Sequence, residues 1–103
     1  MPFEIVWTRG AEADLLFLYE QINDHDLALQ ALSDPLDRVL ELMKAFPDLG
    51  PRVKGTERVR KLLAGPRRRY GLFYVQEGPR IFIHALLDMR QDSELIARRL
   101  KGL

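Results

Sequence analysis

The spacing of apolar residues changes once along this chain, near Pro51. Before that point they recur at three and four, the period of a helix lying on a core. After it, short runs of β-formers alternate with tight turns. A chain that keeps its helices apart from most of its strands does not build the alternating crossover units of a parallel α/β fold. It points to helices layered on a small sheet.

Residues 3–8 include Phe3, Ile5, Val6 and Trp7 and read as a first strand. Thr8 can cap a helix whose apolar stripe is Leu15, Leu18, Tyr19 and Ile22. Residues 23–26 form a polar turn, with Asp26 as the next cap. Apolar positions resume at Leu29 and Leu32, then at Leu36, Val39, Leu40, Met43 and Phe46. Pro35 interrupts them. Either the helix kinks there, or a new one starts with Asp34 as cap and Pro35 at its first position. Residues 47–51 end the helical half.

Candidate strands follow at residues 57–63, 69–76 and 80–87, separated by Ala64-Gly65-Pro66 and Glu77-Gly78-Pro79. Strands joined this closely are antiparallel neighbours. Asp92 or Ser93 caps a last helix with Leu95, Ile96 and Leu100 as its apolar positions. Its Arg98, Arg99 and Lys101 sit late, where the helix dipole favours cations. The expected order is β-α-α-β-β-β-α. This is an α+β fold, a small antiparallel sheet on two N-terminal helices, in one domain over residues 1–103.

Charge is split at the same boundary. Residues 1–51 carry three basic against ten acidic side chains, net −7, and residues 52–103 carry 13 against five, net +8. The basic half is the β half. Side chains alternate across a strand, so Arg58 and Arg60 share a face, with Val59 and Lys61 on the other. Arg69, Gly71, Phe73 and Val75 share one face of the next strand, and Tyr70, Leu72 and Tyr74 the other. One covered sheet face and one open face bearing arginines is the economical arrangement. Arginine's planar fork suits bidentate contact with phosphate or carboxylate, so the surface implies an anionic partner. Tyr70 and Tyr74 either stack on bases or pack on the helices, and packing is the stronger reading.

The chain has no cysteine, which excludes disulfides and thiolate metal sites and fits a reducing cytosol. It has no run of about 20 apolar residues for a membrane span and no signal-peptide pattern at its start. It contains no P-loop, no zinc-protease helix motif and no nucleotide-binding glycine fingerprint, so no cofactor or metal is expected. Ser33 and Ser93 read as helix-cap neighbours. Asp14, Asp24, Asp26 and Asp34 are spread out, not gathered as ligands. His84 lies mid-strand among apolar residues, where a lone histidine is usually a hydrogen-bonded core or edge residue.

Three stretches together resemble a known family. They are Val6-Trp7-Thr8 with Ala11-Glu12-Ala13-Asp14-Leu15 and Tyr19; residues 36–50, ending Phe46-Pro47-Asp48-Leu49-Gly50; and Val59-Arg60-Lys61-Leu62 with residues 69–75, 81–87 and Asp88-Met89-Arg90-Gln91-Asp92. In order and spacing they resemble the RelE/ParE superfamily of bacterial toxin–antitoxin modules, nearest the ParE-like (plasmid stabilisation) branch. The resemblance implies a cytoplasmic toxin held by a cognate antitoxin. That antitoxin would carry a ribbon-helix-helix DNA-binding domain and an acidic C-terminal segment that folds onto the toxin. ParE-like members inhibit DNA gyrase without chemistry of their own, and RelE-like members cut messenger RNA on the ribosome.

By that resemblance Arg58, Arg60, Arg69, Tyr70 and Arg90 would bind the antitoxin or the target. A ribonuclease would use Arg60, Arg69 and Arg90 on the phosphate and His84 for proton transfer, since arginine rarely exchanges protons near neutral pH. The chain departs from the family pattern twice. No tyrosine follows Tyr74, and Asp88 stands where many relatives have histidine. Three readings remain at this point: a gyrase inhibitor, a ribosome-dependent ribonuclease, and a non-toxic relative that only binds antitoxin.

Overall fold

The computed structural model describes residues 3–103. Strand β1 (Glu4–Trp7) ends at Thr8, which does two jobs. Its hydroxyl donates to the Ile83 carbonyl at 2.9 Å and accepts the Ala11 N–H at 3.2 Å, closing the strand and capping helix α1 (Arg9–Ile22). Helix α1 stops at Asn23, whose φ of 50° is a left-handed conformation that asparagine tolerates. Asp24, and not Asp26, caps the next helix by accepting the Leu27 N–H at 3.0 Å. Asp24 is the residue left extended after the left-handed turn; Asp26 already lies in the first helical turn.

Helix α2 (His25–Ala28), a π-helical turn (Leu29–Ser33) and helix α3 (Asp34–Ala45) follow without a break, since Ala28, Ser33 and Asp34 all keep right-handed helical backbone. Asp34 is therefore not a cap, and Pro35 does not end the helix. A proline ring collides with the carbonyl four residues earlier, here Ala31. The wider π turn, in which the Asp34 N–H donates to the Leu29 carbonyl, gives that carbonyl room. The Ala31 oxygen lies against Gly65, where a Cβ would sit 3.0 Å from it and 2.9 Å from the Tyr70 ring. With φ at +85° as well, Gly65 accepts no side chain without strain.

Strands β2 (Arg60–Ala64), β3 (Tyr70–Glu77) and β4 (Arg80–Asp88) are antiparallel neighbours, as the short turns require. The sheet order is β1-β4-β3-β2, and β1 lies parallel to β4 from Glu4↔Arg80 to Trp7↔Ile83. The sheet is thus mixed. No local turn encodes that edge, because three helices and two strands separate its partners. Strand β2 starts later than the sequence implied. Residues 51–59 instead fold back beside it, with the Val53 N–H on the Val59 carbonyl at 2.8 Å and the Lys61 N–H on the Pro51 carbonyl at 3.1 Å.

One sheet face meets the helices. Tyr70, Leu72, Tyr74, Ile81, Ile83 and Leu86 pack there with Leu18, Leu32, Leu36 and Met43. Both tyrosines pack on the helices, as expected. The other face is not open, which corrects the expectation of a bare arginine surface. Val59, Phe73, Val75, Ala85 and Leu87 form a second apolar layer, covered by Ile96 and Leu100 of helix α4 (Ser93–Leu100) and by Leu103. Phe73 and Val75 are each 1% exposed. Burying such a side chain stabilises by about 1.5–3 kcal/mol, so an amphipathic terminal helix docks on it.

Candidate functional site

The densest cluster of charge lies where β3 begins and β4 ends. Tyr70 and Asp88 are paired across the ladder, so Arg69 and Arg90, just outside the two strands, flank Asp88. The Asp88 carboxylate accepts Arg69 Nε at 3.1 Å, Arg90 Nε at 3.2 Å, Arg90 Nη2 at 3.0 Å and the Arg90 backbone N–H at 3.0 Å. Arg69 also lies over the Tyr70 ring, 5.2 Å from its centroid. The Met89 N–H on the Arg69 carbonyl ties the two ends together at 2.6 Å. Beside the cluster is a groove of about 380 Å³ lined by Phe17, Gln21, Ile22 and Gln91. The Arg90 side chain stays 66% exposed, open to an incoming anion.

Burial alone would raise the Asp88 pKa. Hydrogen bonds from the Arg90 side chain and backbone, and from Arg69, outweigh it and hold the carboxyl below its ordinary value. Its folded-state pKa is therefore below the unfolded one. The stabilisation is complete above about pH 4 and is lost as pH falls through the folded value. An Asp88→Asn protein is expected to melt a few degrees below the parent at pH 7, with the gap closing at acid pH. Thermal denaturation across a pH series measures it; a gap that persists unchanged at pH 2 would rule out the carboxylate as the cause.

The remaining arginines singled out from the sequence lie elsewhere. Arg60 pairs with Tyr74, four residues further along β3, roughly 13 Å from the cluster. Its side chain is 23% exposed, and the guanidinium turns back onto the Gly50 carbonyl at 2.8 Å and the Asp48 carbonyl at 3.2 Å, with the Asp48 carboxylate at 3.7 Å. It fastens the loop after α3. Arg58 precedes β2 and faces Glu77, at the far end of β3, at 3.9 Å. Tyr70 is 1% exposed and has no face to offer a base; it underlies Arg69 instead.

His84 is the extra residue of a β-bulge, because Phe73 pairs with Ala85 and Tyr74 with Ile83. It stands beside Phe82, ring centroids 6.4 Å apart, on the face that Phe82 shares with its partner Val75. Burial lowers its pKa; nearby Glu77 opposes the shift and Arg58 adds to it. No group of three or more metal-ligating side chains occurs among the described residues.

One ion pair escaped the sequence. Asp14 on α1 holds Arg99 of α4 in a bidentate pair, both contacts at 2.7 Å, and accepts the Leu86 backbone N–H at 3.0 Å. The parallel ladder ends at Trp7↔Ile83, so beyond it the outer edge of β4 has no strand partner. The Asp14 carboxylate takes that place. Glu4–Arg80 and Asp48–Arg60 likewise join the acidic half to the basic half.

Residues 5–93 match the family profile described as the ParE toxin of the type II toxin–antitoxin system parDE. The chain belongs to that family. No curated protein sequence matches it. Among solved structures it is similar to a chain of the chromosomal ParDE toxin–antitoxin system from P. aeruginosa. The two share 22% identity and a TM-score of 0.52, over 84% of this chain and 95% of that one. At that identity the likeness speaks for the fold. Membership of the ParE toxin family makes the chain a ParE-like toxin and implies an antitoxin partner. Within the described residues of this ParE-family toxin, no helix is long and apolar enough to cross a membrane.

Proposed function

We propose that this ParE-family toxin acts in the cytoplasm by binding and inhibiting DNA gyrase, without catalysis, and that a cognate antitoxin with an acidic C-terminal segment and a ribbon-helix-helix domain neutralises it. The observation that carries the reading is the dispersal of the four groups a ribonuclease would need. Arg69 and Arg90 flank Asp88 at one end of the β3–β4 pair; Arg60 is bound into the loop after α3. His84 sits in a bulge on the face away from Tyr74 and Arg60. Cleavage by 2′-hydroxyl attack needs a proton acceptor, a proton donor and charge stabilisation around one phosphate. Here the arginines have a carboxylate between them and no histidine within reach. That suits charge-assisted docking on an anionic or acidic surface.

A supercoiling assay with purified gyrase tests it. The toxin is expected to inhibit supercoiling when antitoxin is absent, and added antitoxin to restore it. Arg69→Ala with Arg90→Ala is expected to weaken inhibition roughly tenfold or more, as loss of two cationic anchors that the bound partner covers does. Normal supercoiling at high toxin excess, or cuts within codons of translated messages, would overturn the reading.

A further inference from the structure

We propose that the groove between α4 and the turn at residues 53–56 is a docking site for an acidic segment of the cognate antitoxin, one that seats an apolar side chain between carboxylates. This rests on the reading of the chain as a toxin neutralised by an antitoxin. The groove encloses about 400 Å³. It lies over the apolar layer of Phe73 and Val75, on the opposite sheet face from the core that holds Tyr70. Val53, Ile96, Leu100 and Leu103 form its apolar floor. Ala97, three residues before Leu100 on the same helical face, is exposed and presents only a methyl group, so a partner backbone can come close.

The turn wall is set before any partner arrives. The Thr56 N–H and hydroxyl both donate to the Val53 carbonyl, at 3.1 and 2.8 Å. A preorganised wall lowers the ordering cost of binding. The charged side chains lining the groove are Lys54 and Lys101, both exposed. Neither is in an ion pair among the described residues, and no acidic side chain lines the groove. Arg58, Arg60, Arg80 and Arg99, by contrast, are each paired with a carboxylate of this chain, and Arg69 and Arg90 share that of Asp88. Two unmatched ammonium groups above an apolar floor fit carboxylates flanking a hydrophobic side chain. A nucleic acid fits poorly, because the lining holds no aromatic ring on which a base could stack.

The test uses the purified toxin and its cognate antitoxin, with the dissociation constant measured by competition at two salt concentrations. Lys54→Glu with Lys101→Glu is expected to weaken binding roughly tenfold and to flatten its salt dependence. Ala97→Arg, which fills the groove, is expected to weaken it similarly. Exposed Arg67→Glu with Arg68→Glu, the same change in net charge, serves as the control and is expected to change affinity less than twofold. If the double reversal fails to fold, Lys54→Gln with Lys101→Gln replaces it. Amide exchange at residues 96–100, slowed in the complex, is an independent readout. Unchanged affinity in the folded variants, or no slowing at 96–100, overturns the groove while leaving the antitoxin reading intact. A parent toxin that binds no antitoxin overturns both.

Discussion

Asp14→Ala is expected to destabilise the fold by about 2–3 kcal/mol, read from urea denaturation at pH 7. The carboxylate accepts three hydrogen bonds and joins three elements: α1 that carries it, the β4 edge through Leu86, and α4 through Arg99. The Asp14 side chain is 14% exposed and that of Arg99 is 35% exposed. Truncation strands the Leu86 N–H and leaves a half-buried guanidinium without its counter-charge. Partial exposure of Arg99 lets water screen part of the loss, so the figure sits below that of a fully buried pair.

Two companion variants separate the contributions. Asp14→Asn keeps an acceptor for Leu86 and loses the charge, so it should fall between parent and alanine. Adding Arg99→Leu to Asp14→Ala should cost less than the two single changes summed, because the stranded charge is gone. An Asp14→Ala protein within about 0.5 kcal/mol of the parent, the ordinary range for surface changes, would refute this role.

Tyr74→Phe is expected to cost about 2–3 kcal/mol, because it strands two backbone groups at once. The buried Tyr74 hydroxyl donates to the Pro47 carbonyl at 2.8 Å and accepts the Gly50 N–H at 3.1 Å. Arg60 holds the same loop through the Gly50 carbonyl. The loop passes so close to the sheet that a Cβ on Gly50 would sit 2.5 Å from the Lys61 carbonyl oxygen and 2.8 Å from the Tyr74 hydroxyl. Gly50→Ala should therefore be at least as damaging, since backbone on one side and a core ring on the other leave nothing that yields cheaply.

The pH dependence of Tyr74 adds a second readout. Burial raises the Tyr74 pKa; the hydrogen bond from Gly50 and the charge of Arg60 pull it down less than burial lifts it. A raised folded-state pKa means the contribution is full below the unfolded value near pH 10 and is lost as pH rises through the folded value. The parent should lose stability in that alkaline window and Tyr74→Phe should not. Parallel alkaline curves for the two proteins would sink the assignment.

Much of the candidate site was legible residue by residue, and less of it as a group. Arg69 and Arg90 stood out as basic positions flanking two strands, and Asp88 as a departure from the family pattern. That Asp88 lies between them follows from one ladder pair, Tyr70↔Asp88, which depends on the bulge at His84: the register that the β3–β4 turn sets at Glu77↔Arg80 would, carried on unbroken, put Leu87 opposite Tyr70. Arg58 and Arg60 were placed together by strand alternation. That rule holds only inside a strand, and Arg58 lies before β2 begins. His84 sits in a run that reads as a regular strand, and no local signal marks its bulge. Asp14 and Arg99 are 85 residues apart, and each had a sufficient local explanation, a helix surface and a helix dipole.

The sequence by itself determined the order of helices and strands, that Thr8 caps the first helix, that the last is capped at Asp92 or Ser93, and that the last three strands pair antiparallel. Those outcomes depend on contacts within a few residues, and periodicity and turn chemistry record them. Tertiary structure alone decided that β1 joins in parallel, that α4 covers the second sheet face, and that Glu4, Asp14 and Asp48 of the acidic half pair with arginines of the basic half. These rest on encounters between distant segments. An apolar layer of Phe73 and Val75 can be covered by any amphipathic helix the chain brings back to it, and only the packed fold settles which one arrives and which charges it brings along.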